Sequence, residues 1–151
     1  MKNILFRKIL YVIAVLSTVI TIVGGITLPV LVNCYTKNML SIGLKEGIGI
    51  IVFLYITYVP FLIILMSVMR LSKRLLQGKP FCKESIKELK IISICSFIDF
   101  IVYFIGAVFI YRNLLSLAIM FSALMVFIIS SIVRELIGNG IELQEEIDLT
   151  I

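Results

Sequence analysis

Four apolar blocks, each close to the length at which a helix crosses a bilayer, constrain this chain more than any other feature. They run over about 9–32, 48–69, 91–110 and 114–133, and roughly 20 helical residues cover about 30 Å of hydrocarbon. Lipid offers backbone amides no partner, so each block must satisfy its own hydrogen bonds as a helix. Composition agrees: 61% of the residues are hydrophobic and 15% charged, with a mean hydropathy of +1.17, whereas soluble domains are about 45 to 50% apolar and about 25% charged. The expectation is an all-α integral membrane four-helix bundle, a single transmembrane domain over 1–151. Between the spans these residues leave two loops, a tight turn at Tyr111-Arg112-Asn113 and a tail over 134–151. None is large enough to hold a separate catalytic domain.

Lys2, Arg7 and Lys8 precede the first block as they would a secretory signal. Its apolar stretch exceeds the roughly 7 to 15 residues of a signal core, and Thr27-Leu28-Pro29 is a poor cleavage site, so it is read as a retained helix. Assigning cations to alternate sides then orients the chain. One side collects Lys2, Arg7, Lys8, Arg70, Lys73, Arg74, Lys79, Lys83, Lys87, Lys90 and Arg134, and the other only Lys37, Lys45 and Arg112. Eleven against three predicts N-in/C-in, with a cytoplasmic basic loop and an acidic C-terminal tail. The net charge of +5 is thus a topology signal and not a surface for direct nucleic-acid binding.

In the central loop, Gly78 suits the residue just past a helix end, Pro80 blocks continuation, and Arg70, Lys73 and Arg74 favour the negative end of the helix dipole. A turn is expected there, then a helical lead-in over 83–90. In the tail, Glu135, Glu142, Glu145, Glu146 and Asp148 oppose Arg134 alone. Ile132, Leu136, Leu143 and Ile147 keep helical spacing, which predicts that the fourth helix continues into the cytoplasm despite Gly138 and Gly140. The loop suits anionic lipid as a partner, or the chain's own tail on the same side.

Asp99 is the only acid within a span, where a charge costs roughly 2.5 to 3.5 kcal/mol on insertion scales. Ser96, Tyr103 and Gly106 share its helix face at spacings of three, four and seven. One reading makes Asp99, Ser96 and Tyr103 an intramembrane proton or cation site. The other makes Asp99 a protonated carboxyl bonded to Ser or Tyr of another helix as structural glue. Pro60 in the second span, beside Thr57 and Tyr58, removes a backbone donor and predicts a kink that opens a cavity or is filled by neighbours. Ser17, Thr21, Gly24 and Gly25, with Ala118 and Ser122 in the fourth span, are small residues suited to close helix packing.

Enzyme chemistry lacks its parts. There is no histidine to serve as base or metal ligand, Asp99 has no second intramembrane acid to form a dyad, and Cys34, Cys82 and Cys95 fall too far apart for a zinc or haem motif. No cofactor and no metal are expected. The cysteines read as small apolar packing groups.

Gly78-Lys79-Pro80-Phe81, and the closing run from Gly140 through Glu142, Glu145, Glu146, Asp148 and Thr150 to Ile151, resemble a bacterial membrane family, domain of unknown function 2975, over essentially the whole chain. Ile147 departs from the polar residue common at its position in the family. The resemblance implies four helices, a Gly-x-Pro-Phe turn and a tail ending near Leu-Gln-Glu-Glu-x-Asp-Leu-Thr-Ile. It also implies gene adjacency to a small helix-turn-helix regulator, hence a cytoplasmic interaction motif made of Gly78, Pro80, Phe81, Glu142, Glu145, Glu146, Asp148 and Thr150. The alternative for these residues is that Pro80-Phe81 and the 148–150 segment close the cytoplasmic face on each other. The expected role is a non-enzymatic sensor in the bacterial cell membrane, partnered by that regulator. The competing role is a small ion or drug transporter, or an immunity factor against membrane-active peptides. Four short helices enclose little room, so a homodimer fits either role.

Overall fold

Each apolar block lies inside a helix longer than itself. The computed structural model describes residues 2–35, 44–78, 81–110 and 114–149. Helix α1 spans Lys2–Tyr35, α2 Leu44–Leu76, α3 Lys83–Ile105 and α4 Leu114–Leu149, with one π-helical turn, Gly106–Ile110, closing α3. All four are long and apolar enough to cross a membrane. At 1.5 Å per residue the 36 residues of α4 reach about 54 Å, well beyond a hydrocarbon layer of about 30 Å. Helix α2 runs through Pro60 and α1 through Pro29 without interruption. The loop around Lys37 and Lys45 and the turn at Arg112 lie outside the described residues or side chains.

Each helix packs on its neighbours in the chain, so α2 and α3 each share extensive seams with two others. Helix α3 is the most enclosed of the four spans. The outer faces stay apolar and uncovered: Ile13, Leu16, Ile20 and Val23 of α1 are each more than half exposed, as side chains solvated by lipid should be.

The seams are closed by aromatic and small residues. Between α1 and α2, the Tyr58 hydroxyl donates to the Thr21 carbonyl and that of Tyr55 to the Gly25 carbonyl, each at 3.1 Å. A Cβ on Gly25 would overlap the Tyr58 ring, so only glycine admits this approach. Between α2 and α3, Phe53 meets Tyr103 edge-on at 5.6 Å and lies 2.6 Å from where a Cβ on Gly106 would stand. Between α3 and α4, the Ser93 and Ser131 hydroxyls bond at 2.9 Å, and the rings of Phe97 and Phe127 lie 5.2 Å apart. In every pair an advance along one helix is matched by a retreat along the other, so neighbours are antiparallel. The start of α1, the turn after α2 and the end of α4 therefore share one end of the bundle, where Arg7 comes close to Gly78.

Candidate functional site

Helix α3 is flanked by α2 and α4, and these two share no extensive seam, so a cleft of about 290 Å³ opens between them with α3 as its floor. Ser96, Asp99 and Tyr103 line the floor, Thr57 and Phe61 one wall, and Ser122, Ala123 and Val126 the other. The three residues picked out by spacing alone are thus brought together on one surface. The walls escaped sequence reasoning because they come from distant segments. Thr57 and Ser122 drew notice only for Pro60 and for packing, and nothing marked Phe61 or Ala123.

Asp99 is 6% exposed and Ser96 1% exposed. The Asp99 Oδ1 and the Ser96 Oγ have no hydrogen-bond partner among the described residues. Leaving such an atom unpaired costs about 1 to 3 kcal/mol, so the pair is the most conspicuous polar deficit in the spans. Helix-to-helix glue comes instead from Tyr55, Tyr58 and the Ser93–Ser131 pair, and from the Tyr103 hydroxyl, which donates to Thr57 Oγ1 at 3.4 Å. The rise along α3 from Glu88 to Asp99 is about 16 Å, half of a bilayer core of about 30 Å.

Glu88 anchors the other end of that measure, and no local pattern singled it out. It is 6% exposed, and both its oxygens accept from Nη1 of Arg70, at 3.1 and 3.2 Å. The pair ties the end of α2 to the start of α3. Between them Gly78 takes a left-handed φ of +76°, and its amide donates to the Leu75 carbonyl at 3.2 Å, which closes α2 where a turn was expected. Cys82 then starts α3: the Ser85 amide donates to its carbonyl at 2.9 Å, and its Sγ lies 3.0 Å from the buried Ser85 hydroxyl.

Two contacts join this turn to α4. A Cβ on Gly140 would stand 3.2 Å from the Phe81 ring, and Lys83 Nζ lies 3.2 Å from Glu145 Oε1. Both partners of that ion pair are well exposed, so it contributes about 0 to 1 kcal/mol. The tail is an uninterrupted continuation of α4 through Gly138 and Gly140 to Leu149, with Glu142, Glu145 and Glu146 displayed on its surface. Pro80 and Thr150 lie outside the described residues, as does the side chain of Asp148. Among the described residues no three Cys, Asp or Glu side chains converge as a metal site, and none of the three cysteines is in a disulfide.

Four spanning helices, a largely apolar cleft that α3 floors with a buried carboxyl, and a basic turn braced on the last helix define a multi-pass membrane protein of the four-helix bundle type. Within that class, a family model described as protein of unknown function (DUF2975) matches residues 9–151. The chain belongs to that family, as the Gly78 to Phe81 turn and the tail had suggested. No curated protein and no solved structure matches it.

Proposed function

We propose that this is a non-enzymatic protein of the bacterial cell membrane, lying N-in/C-in, that senses a membrane state or ligand and signals through its cytoplasmic face to a small helix-turn-helix regulator. The observation that carries the reading is the unbroken run of α4. A single helix lines the Asp99 cleft at Ser122 and Val126 and presents Glu142, Glu145 and Glu146 beyond the apolar core. A shift at the cleft would thus reach the acidic surface without crossing a loop. The weak Lys83–Glu145 pair supports the same reading, because a basic partner displaces it at little cost. An acidic helix beside the membrane competes with DNA for a basic DNA-binding surface.

Around the turn, Arg70, Lys73, Arg74, Lys83 and Lys87 gather at one end of the bundle, which supports anionic lipid at the basic loop. The regulator reading is tested by capture of a small helix-turn-helix regulator, sought beside the gene as the family resemblance implies, using the full chain in nanodiscs. Neutralising Glu142, Glu145 and Glu146 together to Gln should weaken capture at least tenfold. Equal capture by the variant, or none by the natural chain, counts against the role.

A second reading, a small transporter or an immunity factor against membrane-active peptides, is favoured by the cleft and its carboxyl. It requires Asp99→Asn to alter ion flux, drug tolerance or peptide tolerance in cells. Unchanged values of all three remove it.

A further inference from the structure

We infer that the cleft between α2, α3 and α4 is a binding site for a small hydrophobic monocation, an ammonium group carrying one compact apolar body. Four observations converge on this chemistry, and none depends on whether the protein signals or transports.

The first is charge. Asp99 is more than nine-tenths buried; among the described residues its Oδ1 and the Oγ of Ser96 beside it on the floor have no partner, and no Lys or Arg lines the cleft. A buried carboxyl is held as the anion only by a counter-charge and otherwise takes up a proton, so a cation entering the cleft gains an ionic partner that the lining itself does not supply. The second is the lining, which is otherwise apolar apart from a few hydroxyls and includes the rings of Tyr103 and Phe61. Aromatic faces attract organic cations through their quadrupole, and most strongly where water is excluded. A hard metal ion instead demands six or so oxygen ligands, and this lining holds one carboxylate.

The third is size. A cleft of about 290 Å³ lies at the small end of the roughly 300 to 1,000 Å³ range of small-molecule sites, which suits a compact ligand. The fourth is access. Because α2 and α4 share no extensive seam, an amphiphilic cation already dissolved in the membrane can enter between them, ammonium towards Asp99 and body towards Phe61 and Val126.

The probe is benzyltrimethylammonium, compared with neopentylbenzene, which has the same shape with carbon in place of the charged nitrogen. Binding is measured by equilibrium dialysis of the full chain in phosphatidylcholine nanodiscs against empty discs, with circular dichroism as the check of fold. The natural chain should take up one cation per chain saturably and bind the neutral isostere at least tenfold more weakly. Asp99→Asn should lose at least tenfold in cation affinity, and Ala123→Phe, which fills the cleft and leaves Asp99 in place, should lose it as well. The inference is overturned if the isostere binds as tightly as the cation, if either folded variant binds like the natural chain, or if no saturable uptake exceeds that of empty discs. Should both variants fail to fold, the comparison of the two probes on the natural chain decides alone. Capture of the regulator reads a different surface, so each idea can fail without the other.

Discussion

Replacing Arg70 should destabilise the protein more than replacing Glu88, although each change breaks the same ion pair. The asymmetry follows from what is left behind. The Glu88 side chain is 8% exposed and that of Arg70 52%. Arg70→Gln strands a buried carboxylate that loses its donor to both oxygens. For fully buried pairs that costs about 3 to 5 kcal/mol. Here one partner stands half in solvent, so water reaches the carboxylate more easily and about 2 kcal/mol is expected. Glu88→Gln strands only a guanidinium that can swing outward, and the loss should be about 0.5 to 1 kcal/mol, the range of an exposed pair. The two single variants and the double variant form a cycle, read by reversible unfolding in mixed micelles with increasing sodium dodecyl sulfate. The double variant should be more stable than Arg70→Gln alone, because it no longer buries a charge. Equal losses for the two single variants, or a larger loss for Glu88→Gln, would refute the reasoning from burial.

Two further contrasts use closely spaced glycines as internal controls. Gly25→Leu must displace the Tyr58 ring, whereas Gly24 faces open space; the first should cost about 1 to 3 kcal/mol and the second almost nothing, as read from thermal unfolding in detergent. Gly138→Ala meets nothing within 4 Å and should stabilise α4 by up to about 1 kcal/mol. Gly140→Val pushes Phe81 aside and should instead raise protease sensitivity around the 77–82 turn; equal behaviour of the two sites would mean that Phe81 does not brace the turn on α4.

The helices were legible because lipid leaves the backbone no alternative, and the centre of each apolar block fell within its helix. Hydropathy marks where lipid begins and not where hydrogen bonding stops, so the ends were read from other signals: α3 starts at Lys83, as the expected lead-in over 83–90 requires, and α4 runs on through Gly138 and Gly140, as the spacing of Ile132, Leu136, Leu143 and Ile147 predicts. The face shared by Ser96, Asp99 and Tyr103 followed from a period of 3.6 residues within one helix. The cleft walls and the Arg70–Glu88 pair join separate segments, and no local period encodes such a meeting. Glu88 lay hidden among Lys83, Lys87 and Lys90, where an acid looks like ordinary charge mixing. The π-helical turn at Gly106, beside the close approach of Phe53, carried no sequence signal that distinguished it from α-helix.

The account depends on α2 crossing the membrane, so that the two ends of that helix face different compartments. Native Cys34, exposed near the end of α1, and Gln77→Cys, at the exposed turn after α2, report on the two sides when each is kept as the single cysteine of the full chain. A membrane-impermeant maleimide added to intact cells should label Cys34 and reach position 77 only after permeabilisation. Labelling of both positions from the same side would contradict the membrane-spanning arrangement itself, and labelling of position 77 alone would reverse its orientation.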